Sequence, residues 1–132
     1  MKSSAEIHPF RGSHIFGEMY GVEPTLLNDE NALLEHFQKA IKASGAKIVG
    51  LQVRNFAPSG VTILAMLAES HASLHTYPEF SSLFFDAFTC GDHCHPDKIV
   101  QSLVVSFAPR VHRIKRLDRG VSDDSLVHLH QA

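Results

Sequence analysis

Tryptophan is absent from this sequence and tyrosine occurs only twice, against nine phenylalanines, an unusual aromatic set. Cysteine also occurs only twice, at Cys90 and Cys94. A pair four positions apart is a poor structural staple, and nothing else in the chain points to an oxidising compartment. No stretch approaches the roughly 18 apolar residues that a membrane span requires. The N-terminal segment lacks a continuous apolar core because His8, Pro9, Arg11 and His14 interrupt it, so it does not read as a secretory signal. Cytoplasmic residence is the expectation. Charge of one sign is missing as well. Twelve basic and 14 acidic residues leave a net charge of -2, which offers no electrostatic reason to bind nucleic acid or an anionic membrane. What remains is ordinary for a soluble globular chain: 44% hydrophobic and 20% charged residues. At 132 residues the chain is long enough for one cored domain, spanning 1–132, and too short for two.

Hydrophobic periodicity divides the chain into alternating elements. Residues 1–13 are mixed and expected to be loosely ordered. His14–Met19 alternates as a strand. From Glu30 to Ser44, Leu33, Leu34, Phe37, Ala40 and Ile41 fall on one helical face, with Asn28 or Asp29 placed to cap it and Gly45 to end it. Lys47–Phe56 alternates, and Ala57-Pro58-Ser59-Gly60 forms a turn. Val61–Ala68 is almost wholly apolar, which predicts a central strand covered on both faces. His71–Tyr77 and Leu83–Cys90 are strand-like, closed by Pro78 and by Gly91-Asp92 respectively. Pro96–Phe107 carries Ile99, Val100, Leu103, Val104 and Phe107 as a second amphipathic helix. Arg110–Leu117 reads as a last, exposed strand, followed from Asp118 by a polar, mobile tail. The order predicts an α/β (α+β) two-layer sandwich, an antiparallel sheet with helices packed on one face.

Chemistry concentrates between Thr62 and Cys90. One hydroxyl (Ser70), two imidazoles (His71, His75), two carboxylates (Glu69, Glu79) and one thiol (Cys90) interrupt apolar strands, where unsatisfied burial would be costly. A surface or satisfied-core role for them is the bland alternative. A Ser-His-Asp hydrolase is disfavoured: there is no G-x-S-x-G elbow, and Asp86 is one of many possible third members. Cys90, His93, Cys94 and His95 are too compressed for structural zinc and lack a second pair, and no H-x-E precedes a P-C-x-x-C as in zinc deaminases. No metal is expected; a polar loop capping the second helix accounts for these residues.

Three motifs, in order, make the reading specific: Ala68-Glu69-Ser70-His71, His75-Thr76-Tyr77-Pro78-Glu79 and Phe88-Thr89-Cys90-Gly91. Together with His14, Tyr20-Gly21, and Phe56 with Pro58 and Gly60, they resemble the signature of the prokaryotic S-adenosylmethionine decarboxylases. The likeness covers about residues 12 to 118. It implies a proenzyme that cuts itself between Glu69 and Ser70 into a β chain, 1–69, and an α chain, 70–132. Ser70 would attack the Glu69 carbonyl by an N-to-O acyl shift, and elimination and hydrolysis would leave a covalent pyruvoyl group at residue 70. That group would take the substrate amine as a Schiff base and accept the electrons released with CO2.

The resemblance also implies roles residue by residue. His75 removes the α-proton during processing. Thr62 stands where the family has Ser, and its hydroxyl is suited to hydrogen-bond the cyclic intermediate; strand propensity alone also explains it. Cys90 is the proton donor to the α-carbon, Glu79 holds the ribose hydroxyls, and Phe56 packs on adenine beside a sulfonium cation, with Tyr77 alongside. His71 has a supporting part. The family pattern E-S-H-L-x-I-H-T-W-P-E is modified here at Ala72, Leu74 and Tyr77, and the usual Gly-Tyr-Ala-Ala gives way to Phe80-Ser81-Ser82-Leu83-Phe84. The processing residues therefore match more closely than the substrate-contacting ones. The expected reaction is decarboxylation of S-adenosylmethionine for spermidine-type synthesis. The alternative keeps the mechanism and changes the substrate to arginine, ornithine or another amino acid; Phe56 and Glu79 favour the adenosyl ligand. A non-catalytic paralogue is disfavoured because Ser70, His75 and Cys90 are all present. A homodimer of processed protomers, with active sites near the interface, is also implied.

Overall fold

The computed structural model describes residues 10–68, 70–90 and 93–120. Six strands form one antiparallel sheet: β1 (Gly12–Tyr20), β2 (Ile48–Asn55), β3 (Val61–Leu67), β4 (His71–Tyr77), β5 (Ser82–Cys90) and β6 (Val111–Arg119). Their spatial order is β2-β3-β4-β5-β1-β6, so β2 and β6 are the edges. The helices are a short α1 (Pro24–Leu27), α2 (Glu30–Ala43) and α3 (Asp97–Phe107). This is the predicted arrangement of an antiparallel sheet with helices on one face.

The helices form where a polar start precedes apolar residues at helical spacing. In α2, Leu33, Phe37, Ala40 and Ile41 are buried, while Leu34 is only partly so. The Asp29 side chain caps it by accepting the Ala32 N–H at 3.1 Å, a contact worth about 1 kcal/mol. Ile99, Leu103 and Phe107 make the buried stripe of α3. These two stripes pack on the alternate strand residues Ile15 and Met19, Ile63 and Ala65, Ala72 and Leu74, and Leu83, Phe85 and Ala87, which form one core. Each large side chain fully buried there contributes about 1.5–3 kcal/mol of transfer free energy.

Two hydroxyl and amide contacts tie the chain ends of these elements together. Thr76 Oγ1 accepts the Val61 N–H at 2.9 Å and donates to the Leu27 carbonyl at 2.7 Å, so β3, β4 and α1 are joined at one buried point. The Ala57–Gly60 turn ends on Gly60 at φ +107°, with its N–H donated to Asn28 Oδ1 at 3.1 Å. A β-carbon there would be strained by the backbone and would sit 3.1 Å from the Thr76 carbonyl, which is why glycine stands at this position.

Three expectations are corrected. β3 is not covered on both faces: Ile63 and Ala65 are buried, but Leu64 and Met66 are 47% and 64% exposed. The reason is layering, since both long helices lie on the opposite face. Gly12 and Ser13, expected to be loose, begin β1 by pairing with Cys90 and Thr89. Asp118, expected to open the tail, lies within β6 and pairs with Ser13. Residues 1–9, the Gly91-Asp92 pair and the tail from 121 lie outside the described residues. No helix among the described residues is long and apolar enough to cross a membrane.

Candidate active site

The sheet face turned away from the helices carries nearly all the chemistry. Antiparallel register places its side chains in rows across the strands. Cys90, Gly12 and Arg119 share one row; His71, Phe88, His14 and Leu117 the next; then Ser73, Asp86, Phe16 and Lys115; then Thr62, His75, Phe84, Glu18 and Arg113.

Ser70 lies at one end of this face. It is half-buried in the connection between β3 and β4, where the Leu67 N–H donates to the Ser70 carbonyl at 2.8 Å. Because His71 pairs with Phe88, Ser70 leaves the sheet beside the end of β5, where Cys90 is 8% exposed. Glu69, the acyl side of the expected cut, lies outside the described residues. Cys90 and Cys94 are thiols rather than a disulfide.

The other expected residues gather at the opposite end. Thr62 and His75 are directly paired across β3 and β4, and Thr62 Oγ1 is 3.0 Å from His75 Nδ1. Beside them Phe56, 47% exposed, carries the Arg54 guanidinium 5.5 Å over its ring. An open groove of about 370 Å³ is lined there by Gln52, Arg54, Phe56, Thr62 and Leu64. A second of about 600 Å³ continues along Leu64, Met66, His71 and Ser73. Both volumes suit a small molecule. The Tyr77 ring centroid is 4.9 Å from that of Phe84. Glu79 lies in the single 3-10 turn Pro78–Phe80 and accepts from the Ser59 hydroxyl at 3.5 Å. His75 lies five positions along extended chain from Ser70, about 17 Å at roughly 3.3 Å per residue. The residues expected to form the site thus fall into two groups that do not meet within one chain.

Between the two groups sits a network that sequence reasoning did not assemble. Asp86 Oδ2 is 2.8 Å from His14 Nε2 and 3.5 Å from His71 Nε2, while the Ser73 hydroxyl donates to Oδ1. Arg119 Nη1 is 3.2 Å from His14 Nδ1. A guanidinium only donates, so Nδ1 accepts and the His14 ring proton sits on Nε2, donated to Asp86. The three groups lie within 4.8 Å of one another, close enough in principle to share a cation. A metal on His14 Nε2 would move the ring proton to Nδ1, directly against the Arg119 donor, so the donor set fits a hydrogen-bond chain better than a metal. Nor is it a nucleophile-base pair, because Ser73 donates to the carboxylate and not to an imidazole. Among the described residues, Cys90, His93, Cys94 and His95 do not converge as a ligand set. The available signal was Asp86 itself, the one charge in the strand LFFDAFTC; what was missing was the pairing of β5 with β1.

A further cluster stands at the β1–β6 border. Glu18 accepts from Arg113 Nη2 at 2.5 Å and from the Tyr20 hydroxyl. The Tyr20 hydroxyl, then Arg113, hold the Glu18 carboxyl below its usual range. Reciprocally, Glu18 raises the Tyr20 hydroxyl above the usual phenol range and raises Arg113.

Comparison with known proteins meets this geometry from outside. The family model described as S-adenosylmethionine decarboxylase matches residues 13–120. The chain is 35% identical over 116 residues to the S-adenosylmethionine decarboxylase proenzyme of Methanococcus maripaludis, covering 88% of this chain and 95% of that one. It is 42% identical over 108 residues to the proenzyme of Prochlorococcus marinus, covering 82% and 88%. Among solved structures, the adenosylmethionine decarboxylase of Aquifex aeolicus superposes with a TM-score of 0.79 at 26% identity, covering 86% of this chain and 93% of that one. A Trypanosoma brucei AdoMetDC shares the fold, with a TM-score of 0.58 at 16% identity over 77% of this chain and 44% of that one. With the matched segment running from the first strand to the last, and with these relatives matched over most of both chains, this chain belongs to the S-adenosylmethionine decarboxylase family.

Proposed function

We propose that this protein is made as a proenzyme, cuts itself between Glu69 and Ser70, and then decarboxylates S-adenosylmethionine. The observation that carries the proposal is the placement of Ser70 in the β3–β4 connection, next to the end of β5 that holds Cys90. The Ser70 hydroxyl attacks the Glu69 carbonyl, and the peptide bond becomes an ester. Loss of the residue-70 α-proton expels the Glu69 carboxylate, and water replaces the resulting enamine nitrogen, released as ammonia, with oxygen. The chains 1–69 and 70–132 result, the second beginning with a pyruvoyl group. When formed, that group supplies a ketone conjugated to an amide carbonyl, an electrophile and electron sink that no standard side chain offers.

The surrounding residues fit that group. Cys90 lies at the end of β5 beside the new terminus and is largely buried, suited to return a proton to the substrate α-carbon. Thr62 holds His75 Nδ1, which leaves Nε2 to take the proton lost in processing. Phe56 lines the groove and offers an aromatic plane for adenine, and Glu79, tied through Ser59 to the turn that follows Phe56, offers an acceptor for ribose hydroxyls.

The 17 Å gap requires a second chain. His75 acts on residue 70 only if another protomer lays its His75 end over the Ser70 end of this one. The open face is suited to that pairing, since Phe16, Leu64, Met66, Phe84 and Leu117 expose apolar area on it. A two-fold axis through such a face makes two equal sites from two half-sites. The proposal therefore includes a homodimer packed sheet to sheet.

Intact mass measurement and release of labelled CO2 test the reading. Purified protein should give two fragments cut at 69/70, and S-adenosylmethionine should release CO2 where arginine and ornithine do not. Ser70→Ala should remain a single chain. If Ser70→Ala matured like the wild type, the assignment of the cut would be abandoned.

A further inference from the structure

Resting on the proposed cut, a question arises about what holds the new terminus. Before scission residue 70 is held by the chain on both sides and by the 2.8 Å Leu67 N–H contact to its carbonyl. After scission its only covalent tether is His71. A terminus linked through one residue can swing, and a misplacement of about 1 Å at a reacting atom can cost 10²-fold in rate.

His71 is itself held by groups from neighbouring strands. Its Nε2 lies 3.5 Å from Asp86 on β5, its ring is edge-on to His14 of β1 at 5.7 Å, and it leans on Phe88 at 6.1 Å. Asp86 is fixed in turn by the Ser73 hydroxyl on one oxygen and by His14 on the other. Arg119 of β6 completes the chain, donating to His14 with its guanidinium 4.8 Å over Phe88. A carboxylate has about four lone-pair sites, so His71 can approach Asp86 without displacing the other two donors.

We propose that Asp86 is a positioning residue: acting through His71, it keeps the keto-capped terminus in register with the end of β5 where Cys90 stands. Asp86 itself touches neither substrate nor the reacting carbonyl. His14 and Arg119 serve to aim its carboxylate. The contact is half-exposed in one chain, and it strengthens where a covering protomer removes water.

The test separates turnover from maturation. Asp86→Ala, His71→Phe and the double variant are purified, their keto groups are titrated with a hydrazine, and CO2 release from S-adenosylmethionine is expressed per keto group. His71→Phe retains the ring that leans on Phe88 and loses the nitrogen, so it carries the test should Asp86→Ala not fold or cut. Each single variant should lose on the order of 10- to 100-fold in kcat per keto group. The double variant should be no slower than the slower single one, because both changes break the same link. Multiplied losses in the double variant, or full kcat per keto group with only a lowered melting temperature, would overturn the proposal. A wild type that cuts and decarboxylates while both single variants do the same sinks the anchor alone. A wild type that stays a single chain brings down the parent reading with it, since no new terminus then exists to be held.

Discussion

Mixing two inactive chains should restore cleavage. Ser70→Ala lacks the nucleophile and His75→Ala lacks the base, and within one chain these residues are about 17 Å apart along β4. A base must come within about 3 Å of the proton it removes, directly or through one water. No rotamer of His75 closes that difference, so the proposed action of His75 on residue 70 would have to cross between protomers. In a mixed dimer, the His75→Ala chain keeps its own Ser70 and receives His75 from the Ser70→Ala chain. With equal expression and random pairing, about half of the His75→Ala chains meet such a partner. The assay is co-expression of the two variants with different affinity tags, followed by intact mass measurement of each. About half of the His75→Ala chains should be cut, the Ser70→Ala chains not at all, and each variant expressed alone should stay largely uncut. Chains left equally uncut in the mixed and separate expressions would refute the two-chain site and return His75 to some role within its own protomer.

Cys90→Ala should still mature but release CO2 slowly or protonate its product wrongly; full turnover with the normal product would remove Cys90 from the acid role while leaving the cut in place. The Glu18 carboxyl lies below its usual range in the folded protein, so its stabilising effect is present above the unfolded-state carboxylate range and is lost as pH falls through the folded one. Melting temperatures of wild type and Glu18→Gln should therefore differ near neutral pH and converge in acid, and a difference that stays constant with pH would contradict the Tyr20–Glu18–Arg113 linkage. Leu74→Ala, at a fully buried site in the middle of the sheet, should cost about 2–5 kcal/mol in denaturant unfolding, and a loss under 1 kcal/mol would mean the core is not packed as described.

Local features of the fold were readable because each depends on neighbouring residues. The α2 stripe of Leu33, Phe37 and Ile41 follows from spacing, and Asp29 as its cap follows from residue type and position. The same holds for the Ala57–Gly60 turn and for Pro78 ending β4. The candidate site was readable only as types: Ser70, His75 and Cys90 could be singled out, but which groups lie beside them across the sheet could not, since that depends on register. His14 and Asp86 are 72 positions apart in sequence and 2.8 Å apart in space, because β1 inserts between β5 and β6. No periodicity encodes that insertion.

The misreading of β3 points back to the proposed dimer. Val61–Leu67 is apolar on both alternating sets, which reads as a strand between two layers, yet the chain places a helical layer on only one side. Val61, Ile63, Ala65 and Leu67 face that layer, while Leu64 and Met66 face outward into the two grooves. An apolar pair in an open groove persists at a cost in solubility unless something covers it. A small substrate in the grooves would cover part of this face, but Phe16 on β1 and Leu117 on β6 line neither groove and are exposed on the same face. A second sheet covers all of them at once. In the proposed dimer it would also bring His75 to Ser70, so the apolar content that one chain leaves unexplained and the distance that one chain cannot close call for the same partner.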